Sequence, residues 1–301
     1  MIGFIVNPVS GNGRGEKVWK KLKAELNSQR IDYQARVTTK MGEARLLTRE
    51  LMKQENMEKI VAVGGDGTVN EVINGMLDAG ASCRFGHIPA GSGNDFARAH
   101  MIPREPISAW KRIRDGEGEK TIDLLRMNQR IAVNAVGAGI DGLIAKTANE
   151  SFYKKICNWI KLGVLAYIIS VIRVLFTYQP SDVLLQIDGV AYKQQRVWMI
   201  TVSNIANYGG GMLISPHAIS DDGIAEICVI KSESRWELLK AFPKIFTGAH
   251  VNHPAVQFYR GQKITVTSDS RLLAHADGEV VAETPIQVEL LPKMLRVITH
   301  E

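Results

Sequence analysis

The sequence predicts an α/β protein of two domains, an N-terminal doubly wound parallel sheet and a C-terminal domain of mostly antiparallel β-strands. Up to about Asp123, short apolar strands alternate with glycine-rich turns and helices, a pattern typical of parallel sheets covered on both faces. Beyond Asp123 the chain is rich in β-branched segments, which are separated by turn signals such as DGV, DDGI and YRGQ. The 301 residues are enough for two cores of ordinary domain size.

The first domain repeats a strand, a glycine turn and a helix three times. IGFIVNP leads through SGNGRG into EKVWKKLKAELNSQ, EKIVAVGG leads through DGT into VNEVINGML, and RFGHIPAG leads through SGN into DFARAH. YQARVTT and GEARLLTRELMKQ add a strand and a helix between the first two units. Because right-handed crossovers join parallel strands, the three glycine turns are expected at the carboxyl ends of the strands, where open α/β sheets bind ligands.

The domain boundary is expected within EGEKTIDL, which assigns residues 1–123 to the first domain and residues 124–289 to the second. The last strand, about residues 290–301, is compatible with a return to the first domain. A helix around residues 150–176 interrupts the second domain. Its apolar run Leu162–Ile172 has 11 residues, well short of the roughly 20 that cross a bilayer, and is interpreted as a core helix, with a lipid-binding wall as the alternative.

Composition and termini narrow the class of protein. Lys and Arg exceed Asp and Glu by 37 − 31 = 6, which favours anionic partners, yet no basic block of the nucleic-acid-binding type is present. Cys83, Cys157 and Cys228 form no CxxC pair, so neither a disulfide framework nor a zinc site is expected. The start MIGFIVNPVSG lacks the features of a signal peptide, and a cytoplasmic protein is predicted.

The three glycine turns predict a polyphosphate site, because free N–H groups and the helix dipole attract anions at helix starts. The named fingerprints do not fit: no turn has the final Lys-Ser/Thr of a Walker A loop, the first turn lacks the third dinucleotide-binding glycine, and AGSGN is not a nucleophile elbow. Asp66 and Asp95 stand inside two of the turns. A divalent cation, or a hydrogen bond to sugar or substrate, would explain these acids, so the pattern favours phosphoryl transfer over nucleotide storage.

GGDGTVNEV, with NPVSGNG at the start and PAGSGNDFAR in the third turn, resembles the diacylglycerol kinase catalytic-domain family, in particular its soluble bacterial lipid kinases. The likeness continues through LISPHAISDDGIAEICVI and HADGEVV and so spans nearly the whole chain. It implies an ATP- and Mg²⁺-dependent lipid kinase with its active site in the cleft between two domains. The implied acceptor is diacylglycerol or a related lipid alcohol, taken from a membrane surface that the protein contacts transiently.

The resemblance assigns ATP binding to the first turn, to the GGDGT segment and to two further hydroxyl side chains. These residues are Asn7, Pro8, Val9, Ser10, Gly11, Thr39, Gly65, Asp66, Gly67, Thr68, Val69, Asn70, Glu71 and Ser92. Ser92 stands where the family more often has threonine, and it keeps the hydroxyl. Asn12 stands where a basic residue often follows, so Arg14 or Lys17 is left as the candidate for the phosphate-clamping cation.

The resemblance also implies the catalytic acids. Asp277, in HADGE, matches the family's acceptor of the lipid hydroxyl proton, with Glu279 as its neighbour or rival. Asp66, Asp95 and Asp123 resemble the acidic network around the catalytic Mg²⁺. From the pattern alone, ADGE is equally well a hairpin turn.

ISDDGIAE resembles a second Mg²⁺ site of the family, away from the chemistry. Its ligands would be the Asp222 carboxylate and the main-chain carbonyls of Ile219 and Ile224. An ordinary Asp-Asp-Gly turn is the alternative.

Two other functions remain open from the sequence. One is a NAD kinase-like enzyme that phosphorylates a soluble alcohol, because GGDGT is shared with NAD kinases. The other is a catalytically silent, nucleotide- or lipid-responsive regulator, against which the intact Asp66, Asp95 and Asp277 argue. No nucleic-acid partner is expected, a homodimer is compatible with the sequence, and the predicted location is cytoplasmic and peripheral to the membrane.

Overall fold

The computed structural model describes residues 1–54, 56–80, 82–116, 118–150, 174–232 and 234–299. The chain forms two compact units. Unit 1 comprises Met1–Leu124, Gly209–Gly211 and Pro292–Glu301, and unit 2 comprises Leu125–Tyr208 and Met212–Leu291. Unit 1 has a parallel α/β architecture and unit 2 is mostly antiparallel, which confirms the predicted fold class.

Unit 1 contains a parallel sheet in the order β2-β1-β3-β4, and the end of the last strand, β15, lies beside β4. The strands are β1 (Ile2–Val6), β2 (Tyr33–Val37), β3 (Lys59–Gly64), β4 (Arg84–Pro89) and β15 (Ile286–Ile298). β3 is buried at every position, as expected for a central strand that helices cover on both faces. β1, β3 and β4 each run into one of the three glycine turns, so the turns share one edge of the sheet.

Five helices of unit 1 follow these strands in the described part of the chain. They are α1 (Ser10–Ser28), α2 (Glu43–Gln54), α3 (Asp66–Asp78), α4 (Asp95–Ala99) and α5 (Pro106–Asp115). α1 packs against α5 and α2 packs against α3, and each pair also contacts the sheet. α1 buries Val18, Leu22 and Leu26, whose spacing of four places them on one face.

Unit 2 is built on antiparallel strands in the order β14-β13-β7-β9-β8-β12-β15, with β10 paired to β9 and β11, and β6 to β5. Their bounds are β5 (Glu119–Met127), β6 (Arg130–Ala132), β7 (Ala135–Gly139), β8 (Ser181–Ile187), β9 (Val190–Ser203), β10 (Ala225–Lys231), β11 (Val256–Gly261), β12 (Lys263–Ser268), β13 (Leu273–Ala276) and β14 (Glu279–Glu283). β8 buries every second side chain, the pattern of a strand with one face on the core.

The core of unit 2 lies between these strands and includes Leu185, Ile200, Val229 and Val266. Its helices in the described ranges include α6 (Ile140–Glu150), α7 (Arg235–Ala241) and the 3₁₀ segments Phe242–Thr247 and Ala249–Asn252. Across the described ranges, no helix combines the length and the apolar character needed to cross a bilayer. Most of the helix predicted around residues 150–176 falls outside those ranges.

Candidate functional site

The first glycine turn of unit 1 exposes a run of left-handed backbone. Gly11, Asn12 and Gly13 have φ values of +57°, +57° and +85° inside the first residues of α1. Consecutive N–H groups in such turns make a concave anion site. A Cβ on Gly11 would collide with the carbonyl oxygen of Ala90, so this glycine also lets the first turn approach the third.

The second and third turns lie in contact through two glycines. A Cβ on Gly65 would stand 2.9 Å from the Cα of Gly91 and 3.5 Å from the Ser10 hydroxyl oxygen. Asn94 closes the third turn, because its Oδ1 accepts from Gly91 N at 2.9 Å and its Nδ2 donates to Gly91 O at 2.8 Å. All three predicted phosphate turns therefore converge on one edge of the unit 1 sheet.

Asp66 and Asp95 are the first residues of α3 and α4. Asp66 Oδ1 accepts from Phe96 N at 2.9 Å, so the carboxylate of one helix start holds the start of the other. Asp95 is 4% exposed. Its Oδ2 accepts from Gly210 N at 2.6 Å and its Oδ1 is paired with Arg98.

Burial raises the pKa of Asp95, and the negative charge of Asp66 raises it further against the lowering effect of the Gly210 N–H and of Arg98. The two carboxylates are neighbours, because Asp66 Oδ1 accepts the N–H of the residue that follows Asp95. Mg²⁺ commonly takes one or two carboxylates and completes its coordination with phosphate oxygens and water. In the described ranges no group of three His, Cys, Asp or Glu is placed to hold a metal ion, but this pair fits a cation that arrives with a nucleotide.

Several residues predicted to contact ATP also make contacts within the protein. Asn7 Nδ2 donates to Thr68 Oγ1 at 3.1 Å, which joins the first turn to α3. Glu71 accepts from Gly42 N at 3.1 Å and from Ala44 N at 2.9 Å, so its negative charge caps the start of α2.

Thr39 is also tied to α2, because its N and its Oγ1 donate to Glu43 Oε2 at 2.5 Å and 3.0 Å. Others of the predicted set are open to solvent: Val9, Gly67 and Ser92 are exposed. Both candidates for the phosphate-clamping cation, Arg14 and Lys17, are exposed as well.

Asp123 is fully buried in β5, and its Oδ1 accepts from Lys293 N at 2.8 Å. The structure thus brings Asp66 and Asp95 together and gives Asp123 a main-chain partner on β15. The sequence did not single out Gly210 as a partner of Asp95. Its only signal was the glycine run in YGGGM, which by itself indicates a flexible loop.

In unit 2, Asp277 and Gly278 form the two-residue turn between β13 and β14, with φ values of +49° and +85°. Positive φ at both positions is the geometry of a type I′ hairpin, which Asp-Gly favours. The Asp277 carboxylate accepts from three successive main-chain N–H groups, those of Val133 at 2.7 Å and of Asn134 and Ala135 at 2.9 Å each. Asp277 therefore fastens its turn to the segment that enters β7.

Glu279 follows as the first residue of β14, and its side chain is exposed. The two rival acids of the DGE motif thus differ in surroundings. A carboxylate has about four lone-pair sites, of which Asp277 uses at least three on the protein backbone. Glu279 projects from a turn that Asp277 holds in place.

The predicted second metal site also lies in unit 2. Asp222 Oδ1 accepts from Ile224 N at 3.1 Å, and Asp222 Oδ2 is paired with Arg260. Ile219 is exposed. Both carboxylate oxygens are thus engaged within the protein, as in an ordinary Asp turn, and a metal site at Ile219, Asp222 and Ile224 stays a prediction.

Comparisons with known proteins find matches to two family models that together cover most of the chain. Residues 1–127 match the diacylglycerol kinase catalytic domain, and residues 134–299 match the YegS C-terminal NAD kinase beta sandwich-like domain. A diacylglycerol kinase of Mycobacterium tuberculosis (strain ATCC 25618 / H37Rv) is 30% identical over 98% of this chain and 93% of its own length. One from Staphylococcus carnosus (strain TM300) is 27% identical over 98% of this chain and 94% of its own.

A solved structure described as a diacylglycerol kinase from Bacillus anthracis str. Sterne superposes with a TM-score of 0.73 at 24% identity, over 99% of this chain and 96% of that one. A likeness at this identity shows the fold. A second chain from the same organism reaches a TM-score of 0.79 at 26% identity, over 99% and 97% of the two chains.

Proposed function

Because the chain belongs to the diacylglycerol kinase catalytic-domain family, we propose that this kinase transfers the γ-phosphoryl group of ATP to the hydroxyl of diacylglycerol or a related lipid alcohol. The observation that carries the proposal is the convergence of three glycine turns beside two neighbouring carboxylates, Asp66 and Asp95. Loose phosphoryl-transfer transition states need positioning and charge neutralisation more than covalent chemistry. Unit 1 supplies groups suited to both tasks.

The phosphates are proposed to lie against the first turn. Gly11, Asn12 and Gly13 present left-handed backbone there, and α1 begins at the same point with its positive dipole end. Gly65 and Gly91 bring the second and third turns into direct contact with each other beside the first turn. Arg14 and Lys17 are both exposed near this turn and remain the candidates for an additional cation.

Asp66 and Asp95 are proposed to hold the Mg²⁺ that accompanies ATP. The chemistry that such an ion would supply is neutralisation of the negative charge on the transferred phosphoryl group. Asp66 already has one oxygen on the Phe96 N–H, and Asp95 is engaged by Gly210 and Arg98, so the protein fixes both carboxylates in advance. Asp123 is proposed to support β5 and β15 through its bond to Lys293.

The proton of the acceptor hydroxyl is proposed to pass to Glu279, with Asp277 holding the turn. The carboxylate oxygens of Asp277 accept hydrogen bonds from three backbone N–H groups, whereas the Glu279 side chain is exposed. A carboxylate suffices as general base because this chemistry asks for little proton-transfer driving force.

Transient contact with a membrane surface is proposed to supply the lipid. Every exposed Phe or Trp among the described residues lies in unit 2, namely Phe176, Trp236 and Phe246. The Phe176 and Trp236 rings are in contact, with centroids 5.4 Å apart, and the exposed Lys240 and Lys244 follow along the same segment. Exposed aromatic rings with nearby lysines suit the interface of an anionic bilayer. Trp236→Ser is expected to weaken sedimentation with anionic vesicles, while Val190→Ser, at another exposed apolar side chain, is expected to leave it unchanged.

A transfer assay with radiolabelled ATP and Mg²⁺ tests the function across a panel of lipid alcohols, with NAD as the soluble comparison. Phosphorylation of diacylglycerol or a related lipid alcohol supports the proposal. Turnover of NAD with none of any lipid alcohol would replace it by the NAD kinase-like function. ATP that is bound but never consumed would indicate a regulator.

A further inference from the structure

A buried histidine lies directly behind the DGE turn of unit 2. His275, on β13, is 0% exposed and has polar partners on both edges of its ring. Its Nδ1 accepts from Gly278 N at 3.2 Å. Its Nε2 lies 3.1 Å from Asp141 Oδ2 and 2.8 Å from Tyr208 Oη.

These contacts fix the tautomer of the ring. Because the Gly278 N–H donates to Nδ1, that nitrogen carries a lone pair, and the ring proton sits on Nε2 facing Asp141 and Tyr208. Asp141 is itself held, since its Oδ1 accepts from Gly142 N at 2.8 Å. The imidazole is therefore anchored on one edge and presents a fixed acceptor on the other.

The fold reserves space for this arrangement. Gly137 on β7 pairs with His275 across the sheet. A Cβ on Gly137 would overlap both Asp141 Oδ2 and His275 Nε2, so glycine is what allows the carboxylate to reach the ring. A histidine buried only for packing would not require a glycine at the paired position of the neighbouring strand, as Gly137 is here.

His275 Nδ1 accepts a hydrogen bond from one of the two central residues of the turn, Gly278. Asp277 holds one side of this turn through the Val133, Asn134 and Ala135 N–H groups, and His275 holds the other side through Gly278. Glu279 comes next and is exposed. Because Asp277 and Gly278 are both held by hydrogen bonds, the position and orientation of the Glu279 backbone are fixed.

We propose that His275 is a positioning residue for the proton acceptor: by accepting the Gly278 N–H, it orients the Asp277–Gly278 peptide, from which the chain continues directly to Glu279. The inference rests on the proposed function and deepens it. His275 itself touches neither substrate nor nucleotide in this role. Asp141 and Tyr208 serve to keep its Nδ1 lone pair directed at the turn.

Two substitutions distinguish the contribution of the Nδ1 contact from that of the Nε2 contacts. His275→Asn brings an amide oxygen to the position of Nδ1, so it keeps an acceptor for Gly278 and loses the contacts at Nε2. His275→Gln brings its amide to the position of Nε2, so it keeps a donor to Asp141 and loses the acceptor for Gly278. The expected result is that His275→Gln lowers kcat with a lipid alcohol on the order of 10-fold to 100-fold, with the KM for ATP unchanged. His275→Asn is expected to stay within a few-fold of wild type.

Hydrogen exchange at the Gly278 amide gives a readout that needs no activity. In wild type this amide is expected to exchange slowly despite its place in a hairpin turn, and in His275→Gln it is expected to exchange faster than in His275→Asn. Fast exchange in wild type overturns the proposal even when neither variant folds. An active wild type whose two variants show the same kcat overturns the role of His275 alone, whereas a wild type that phosphorylates no lipid alcohol overturns the proposed function.

Discussion

The backbone of Gly65 lies against that of Gly91, so closely that a Cβ on Gly65 would stand 2.9 Å from the Gly91 Cα. Gly65 has φ −103° and ψ −170°, an extended conformation that any residue adopts. The approach of the two turns, and not the local conformation, therefore requires glycine. This contact sets how closely the turns that carry Asp66 and Asp95 can lie together.

Gly65→Ala is expected to lower the free energy of unfolding by about 1–3 kcal/mol, because a methyl group would have to push two main-chain segments apart. ATP affinity should fall with it, since the turns that form the phosphate site would separate. Urea unfolding and nucleotide titration measure the two effects. Gly67→Ala is the matched control for stability: its Cβ would meet nothing within 4 Å, and alanine suits a helix better than glycine. Equal urea midpoints for the two variants would contradict the steric argument.

Asp66→Asn should reduce kcat by on the order of 10²-fold or more while leaving the fold intact. The amide oxygen can still accept the Phe96 N–H, but the charge proposed to hold Mg²⁺ is lost. Steady-state kinetics and a thermal melt check both parts. Asp78→Asn, at the other end of α3, removes a carboxylate paired with Arg45 and should leave kcat unchanged. An unchanged kcat for Asp66→Asn would remove this residue from the mechanism.

The sequence predicted the strands of unit 1 because apolar runs, glycine turns and amphipathic helices repeat locally. It could not predict which turns touch. Gly210 donates to an aspartate 115 positions away, and His275 contacts one 134 positions away, so both pairs depend on how the sheets are assembled. ADGE illustrates the limit of sequence analysis. From the sequence it was either a catalytic acid or a hairpin turn, whereas in the structure Asp277 is part of the turn and its carboxylate fastens that turn to the neighbouring segment.

His87 should give stability an identifiable dependence on pH. Its ring is fully buried on β4, and burial lowers its pKa from 6.5 to about 4, against the opposing effect of the bond to Gly64 O. The unfolded chain therefore binds a proton in a range where the folded protein does not. This destabilisation is absent above pH 6.5, grows as the pH falls, and is complete below about pH 4, where it reaches about 3 kcal/mol.

His87→Gln should flatten that dependence, because glutamine keeps a donor for Gly64 O and does not titrate. Melting temperatures of both proteins between pH 4 and pH 7 provide the comparison, with the pH range taken from the lowered pKa of His87. Parallel curves for wild type and variant would show that another group accounts for acid destabilisation. His250, whose pKa burial also lowers, is present in both proteins and contributes equally.

Asp222→Ala should lower the free energy of unfolding by less than about 1 kcal/mol, since its partner Arg260 is solvent-exposed and such ion pairs contribute little. The melting temperature of wild type should not change when EDTA replaces Mg²⁺ in the absence of nucleotide. The opposite result, a Mg²⁺-dependent rise in melting temperature that Asp222→Ala abolishes, would establish the metal site that the family resemblance implies at Ile219, Asp222 and Ile224.

Asp277 and Glu279 should separate into a structural and a chemical role. Glu279→Gln is expected to lose on the order of 10²-fold or more in kcat, as is typical when a general base is removed, with an unchanged melting temperature because its side chain is exposed. ATP affinity should stay the same, since a group used only in the transition state does not contribute to nucleotide binding in the ground state.

Asp277→Asn should lose stability as well as kcat. Its amide presents one acceptor oxygen where the carboxylate used two oxygens to bind the N–H groups of Val133, Asn134 and Ala135, so at least one of these donors loses its partner and the turn loosens. Kinetics and melting temperature must be measured on the same preparations, because the assignment depends on the pattern across the two variants. If Asp277→Asn melts like wild type and loses kcat while Glu279→Gln remains active, Asp277 is the base. In that case its three backbone hydrogen bonds orient a catalytic carboxylate instead of fastening a turn.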